Sequence, residues 1–155
     1  MYKEILLLYI RVEDPIFYQL ENRQGRYRMI KTLIVDDNPG FLKRVRDFLS
    51  SSEHLEVIGE ASDGEEAVSK ALDLKPDMVL MDVRMEGMNG LNATQHLKDE
   101  LPEVAVIILS KYDLHEYREV AEMRGANGYV VKMNMVEELL PTIRRVMVDL
   151  GKWPE

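Results

Sequence analysis

From Ile30 to Leu150, short apolar runs alternate with stretches whose apolar residues recur at helical spacing. The runs are Ile30–Val35, the Leu55/Val57/Ile58 group, Met78–Met81, Val104–Leu109 and Gly128–Val131. Strands this apolar on both faces belong in a parallel sheet covered by helices. Five strand–helix units in succession predict an α/β fold, a doubly wound five-stranded parallel sheet with right-handed crossovers and helices on both faces.

Three of these runs stop at a charge. The first ends at Asp36-Asp37, the third at Asp82 and the fifth at Lys132. The carboxyl ends of parallel strands line the ligand crevice, so three carboxylates and an ammonium would meet on one rim. Clustered carboxylates raise one another's pKa, so the cluster implies a resident cation. The chemistry points to a phosphoryl-acceptor site with a hard metal ion.

The connections carry matching punctuation. Asn38 is placed to cap a helix that has Pro39 in its first turn and Phe41, Leu42, Val45, Phe48 and Leu49 on its apolar side. Asp63-Gly64 opens the second helix, Gly87 and Gly90 mark a loop before the third, and the fourth is predicted from Tyr112 to Met123 with Gly125 as its stop. The fifth is predicted from Val136 to Leu150.

Composition narrows the function. The chain has 155 residues, 46% hydrophobic and 31% charged, which suits one compact domain. A formal net charge of -8 disfavours binding to a phosphate backbone by this chain alone. There is no cysteine, hence no disulfide framework or thiolate chemistry, and His54, His96 and His115 lack a ligand-like spacing. Residues 1–28 read as an N-terminal extension. Its run Ile5–Ile10 is too short to span a bilayer and is followed by Arg11, Glu13 and Asp14 without a signal-type cleavage site. That run is either an upstream extension without chemistry or an added element that docks on the domain or on a second copy. Residues 29–151 form the expected domain and 152–155 a tail, with a cytoplasmic location and no membrane partner.

On these residues the chain resembles a receiver domain of two-component response regulators. The resemblance spans Ile30 to Leu150 and implies the flavodoxin-like strand order 2-1-3-4-5. Asp36-Asp37 matches the acidic pair, Asp82 the phosphoacceptor, Ser110 the hydroxyl residue after the fourth strand, Lys132 the lysine after the fifth, and Tyr129 the aromatic switch position. The resemblance implies a Mg²⁺ cofactor contacted by Asp37, Asp82 and the Arg84 backbone carbonyl, with Asp36 acting mainly through water. It implies a sensor histidine kinase or phosphotransfer protein as donor. It also implies output to a protein target or a self-dimer through the face made by the fourth helix, fifth strand and fifth helix. Such a chain accepts a phosphoryl group, and is not a multiple-turnover enzyme.

Three positions depart from the family pattern. Glu86 and Met133 stand where proline is usual, and Lys111 stands where a small residue is usual. Without proline a cis Lys132–Met133 bond would cost about 2.5–4 kcal/mol, so a trans bond, or one held by surrounding strain, is expected. The Lys111 ammonium either reaches inward to Asp82 or swings out to solvent. A haloacid-dehalogenase type phosphatase would need an acid where Arg84 stands, and a dinucleotide-binding fold would need a glycine-rich first turn, which Asp36-Asp37-Asn38-Pro39-Gly40 is not. Two further readings remain open: a receiver-like interaction or dimerisation module that is not phosphorylated, and the front of a longer DNA-binding regulator.

Overall fold

The computed structural model describes residues 28–154, so the reading of Ile5–Ile10 as an added element lies outside the described residues. Five strands and five helices alternate: β1 (Ile30–Val35), α1 (Pro39–Leu49), β2 (Leu55–Ala61), α2 (Gly64–Leu74), β3 (Met78–Met81), α3 (Gly90–Glu100), β4 (Ala105–Ser110), α4 (His115–Met123), β5 (Gly128–Val131) and α5 (Met135–Asp149). All pairings are parallel and the sheet order is β2-β1-β3-β4-β5. This is the order that the resemblance implies.

The period-2 alternation of strand side chains divides the core into two layers. Ile30, Ile34, Leu80, Ile107, Leu109 and Val130 meet α1 and α5 through Leu42, Val45, Leu139 and Ile143. Leu33, Val35, Val79, Met81, Val106 and Ile108 meet the helices of the other face through Ala67, Ala71, Leu97 and Ala121. Strands β3 and β4 are buried along their whole length, as a central position between two helical layers demands.

The helix ends follow their caps. Asn38, Asp63 and Asn89 each accept a backbone N–H from the first turn of the helix they precede. Gly125 adopts a φ of 92° just past α4, a conformation in which glycine avoids the Cβ clash. Two boundaries differ from expectation. Helix α4 starts at His115, because residues 111–114 form a loop and Leu114 offers no side-chain cap. Helix α5 starts at Met135 after a 3₁₀ turn over Lys132–Asn134, and it continues through Pro141 despite the lost N–H donor. Among the described residues no peptide bond is cis, so Lys132–Met133 is trans.

At the amino ends of the strands the residues after α5 fold back onto the domain. The Lys152 and Trp153 amides both donate to the Met147 carbonyl, at 2.8 and 3.1 Å. The Trp153 ring then meets the His54 ring edge-on with centroids 5.0 Å apart. Arg28 closes the same end through a 2.6 Å ion pair with Asp77. Among the described residues no helix is long and apolar enough to cross a membrane.

Candidate functional site

Backbone hydrogen bonds extend the sheet by one residue past the strands and so fix the acidic groups on its carboxyl rim. The Asp36 amide donates to the Ala61 carbonyl and the Asp82 amide to the Val35 carbonyl, each at 3.0 Å. The next helix is pressed against the same point. The Gly90 amide donates to the Val83 carbonyl at 2.8 Å, and a Cβ on Gly90 would lie 1.7 Å from the Asp82 carbonyl oxygen. Only a residue without a side chain fits that approach. The sequence marked Gly90 as a loop residue, and its packing against Asp82 is a feature the sequence reading missed.

Asp36, Asp37 and Asp82 converge so that one carboxylate oxygen from each lies within 4.8 Å of the others. Asp36 is 3% exposed and Asp82 7%, whereas Asp37 faces solvent. Asp36 Oδ1 accepts the Asn38 amide at 2.9 Å, and Asp82 Oδ1 accepts the Val83 amide at 2.9 Å. Burial pushes the Asp82 carboxyl up to about 6, and neighbouring Asp36 adds to the rise while Lys132 opposes it. Three oxygen donors with one member open to water are the ligand type that a hard divalent cation prefers.

Lys132 is brought to the same point by the 3₁₀ turn after β5. Its side chain is 8% exposed and its ammonium contacts both Asp36 Oδ2 and, at 3.4 Å, Asp82 Oδ1. The structure places Lys132 between the two buried carboxylates, nearer Asp36. The ammonium also lies 4.1 Å from the centroid of the Phe41 ring, a cation–π contact on its other side. Phe41 had been read only as part of the apolar stripe of α1.

The other wall is built by loops. The cavity, about 510 Å³, is lined by Asp36, Asp37, Asp82, Arg84, Lys111, Tyr112 and Lys132 among others. The Arg84 guanidinium packs over the Tyr112 ring at 4.5 Å and donates to the Tyr117 hydroxyl from Nε at 3.1 Å and from Nη2 at 2.7 Å. This clasp ties the loop after β3 to α4, and no spacing rule reveals it in the sequence. Ser110 is fully buried, and its hydroxyl oxygen accepts the Tyr112 amide at 3.1 Å. Tyr129 is half-buried; its hydroxyl donates to the Tyr112 carbonyl, Arg118 stacks 4.6 Å from its ring, and burial raises its pKa. Lys111 is exposed and pairs with no carboxylate among the described residues. Asp36, Asp37, Asp82, Arg84 and Lys132 therefore line one pocket, and Ser110 and Tyr129 bond to the loop that walls it.

Residues 32–144 match the family described as the response regulator receiver domain. The chain belongs to that family. The response regulator protein VraR of Staphylococcus aureus is 36% identical over 118 residues, 75% of this chain and 56% of VraR. The chain thus spans about half the length of the curated relatives it matches. Among solved structures, the response regulator domain of Thermotoga maritima CheB superposes with a TM-score of 0.73 at 31% identity, covering 78% of this chain and 98% of that one. A chain of the CheX–CheY–BeF3–Mg complex from Borrelia burgdorferi gives a TM-score of 0.72 at 27% identity, over 76% and 89% of the two chains. The receiver domain of NarL from Mycobacterium tuberculosis gives 0.68 at 28%, over 76% and 98%. The chain is therefore a receiver domain of two-component signalling, with the flavodoxin-like topology of its relatives.

Proposed function

We propose that Asp82 is the phosphoacceptor of this receiver and that its donor is the phosphohistidine of a sensor kinase or phosphotransfer protein. A carboxylate oxygen of Asp82 forms the new bond to phosphorus, the bond from phosphorus to the donor imidazole nitrogen breaks, and the electron pair returns to the imidazole. The product is an acyl phosphate on Asp82. Asp36, Asp37 and Asp82, with the Arg84 backbone carbonyl, would hold a Mg²⁺ ion, which supplies charge neutralisation for the phosphoryl oxygens.

The protein groups do the rest by position. Lys132 releases part of its hold on Asp82 and pairs with a phosphoryl oxygen. Ser110 turns its hydroxyl toward another, giving up the contact to the Tyr112 amide. Tyr129 then has space to swing inward, which carries the change to the surface of α4, β5 and α5. Such a switch is a shift of population between two states. That surface, where Met123 is 82% and Val136 65% exposed, is the expected contact for a downstream protein or a second copy. The chain acts as a group acceptor in the cytoplasm rather than as a multiple-turnover enzyme, with no nucleic acid as a partner of this chain alone.

The observation that carries this reading is the convergence of three carboxylates around one buried ammonium. Incubation with acetyl phosphate and Mg²⁺ should add one phosphate by intact mass. Asp82→Asn should abolish the gain, and Asp37→Ala should lose it mainly through lost metal affinity, with partial rescue by excess Mg²⁺. Equal labelling of wild type and Asp82→Asn would remove the assignment. A wild-type protein that never labels would favour the non-phosphorylated interaction module.

A further inference from the structure

Three cations line the pocket, and two of them are committed. Lys132 lies between Asp36 and Asp82, and the Arg84 guanidinium is spread over Tyr112 with its N–H groups on the Tyr117 hydroxyl. Lys111 borders the same cavity, is exposed, and has no carboxylate or hydrogen-bond partner among the described residues. Its position follows directly on the buried Ser110, so its backbone is anchored while the residue itself is exposed beside the pocket. Charge decides what such a lysine is for. Three carboxylates are balanced by Lys132 and one divalent ion together. An incoming phosphoryl donor with two negative charges would then meet only the Arg84 charge, which is fixed against Tyr112 and Tyr117, on a protein whose formal net charge is -8. A single uncommitted ammonium at the mouth changes that locally, because charges lining a cleft concentrate ligands of opposite sign.

We infer that Lys111 is a specificity-determining residue that captures the dianionic phosphoryl group of small acyl phosphates at the mouth of the pocket. This rests on Asp82 being the phosphoacceptor. Lys111 acts on the approach of the donor and does not compete for the metal, since it makes no contact with the three aspartates. A dianionic donor therefore gains more from it than a donor with one fewer negative charge, and added salt erodes the gain.

The test compares wild type, Lys111→Ala, Lys111→Arg and Lys111→Glu with two donors, acetyl phosphate and the less negatively charged phosphoramidate, at low and high salt. Circular dichroism checks that each variant is folded, and calorimetric Mg²⁺ titration without any donor gives a readout independent of labelling. Lys111→Ala should label with acetyl phosphate about five-fold more slowly at low salt, chiefly through a weaker half-saturation. Lys111→Glu should be slower still and Lys111→Arg close to wild type. With phosphoramidate, or at high salt, the differences should shrink to less than about two-fold. Mg²⁺ affinity should stay within about two-fold of wild type, a lone exposed charge being worth little in water. Equal loss with both donors, or a change in Mg²⁺ affinity large enough to account for the rates, would overturn the inference. So would wild-type kinetics in Lys111→Ala. Failure of wild type to label with either donor would instead remove the phosphoacceptor reading and this inference with it.

Discussion

The Tyr129 hydroxyl donates a 2.6 Å hydrogen bond to the carbonyl of Tyr112. The bond joins β5 to the loop between β4 and α4, and that loop also supplies the aromatic face on which Arg84 rests. Tyr129 is thereby a brace for one wall of the pocket in this state.

Tyr129→Phe removes the brace and keeps the ring. Loss of a hydrogen bond of this kind should cost about 1 kcal/mol. Amide exchange at Tyr112, Asp113 and Leu114 should speed up, with protection in β1 and β3 unchanged. Asp82 labelling by acetyl phosphate should persist, because no group around the carboxylates is touched. Unchanged exchange in residues 112–114 would show that the loop is held by other contacts.

Asp82 gives a pH-dependent prediction. Its folded-state pKa is raised from 3.8 to about 6, chiefly by burial. The protonated form is thus favoured by folding: the contribution is fully present below the unfolded value and is lost as pH rises through about 6. In the absence of divalent ions, Asp82→Asn should be more stable than wild type at pH 7.5 by about 1–2 kcal/mol after solvent screening. Below pH 4 the two should converge. Thermal melts in chelator across this range check it, and a wild type more stable than Asp82→Asn at pH 7.5 would mean that the Lys132 contact outweighs burial.

Lys132 holds two buried carboxylates together. Lys132→Ala leaves them uncompensated, and breaking a buried ionic set in this way costs about 3–5 kcal/mol. Saturating Mg²⁺ should return much of that loss, because the ion supplies the missing positive charge. Denaturant midpoints with chelator and with Mg²⁺ give the two numbers. A penalty equal in both would separate Lys132 from the metal-binding charge balance.

Gly90 offers a purely steric case. A methyl group there would overlap the Asp82 carbonyl oxygen, so Gly90→Ala must displace either α3 or the acidic rim. A loss of about 3 kcal/mol, the upper end for overpacking, is expected together with weaker Mg²⁺ binding. Gly87, with nothing near its would-be Cβ but a φ of 73°, should tolerate alanine at about 1 kcal/mol. Equal behaviour of the two alanine variants would refute the close approach.

The strand ends were legible because an apolar run in a parallel sheet stops where the chain reaches its rim. Asp36, Asp37, Asp82 and Lys132 could be read directly for that reason. Pairing was not legible, because it depends on distances between segments remote in sequence: Lys132 lies nearer Asp36 than Asp82. Arg84 was read for its backbone carbonyl, whereas its side chain engages Tyr117, 33 residues away. The start of α4 was misplaced by three residues because the stretch 112–114 has helical composition but is tied into a loop by Ser110 and Tyr129. Lys111 stood out by residue type, and only the structure separates it from the two engaged cations.

The ring of Trp153 rests on His54 at the start of β2, while the aspartates sit beyond the opposite ends of the strands. A seven-residue strand separates them by about 20 Å. Trp153 is the sole tryptophan of the chain, so emission excited at the indole band is a probe of the far pole. Filling the acidic pocket should leave that signal flat by contact alone, and any quenching on loading would report a rearrangement transmitted through the whole depth of the sheet.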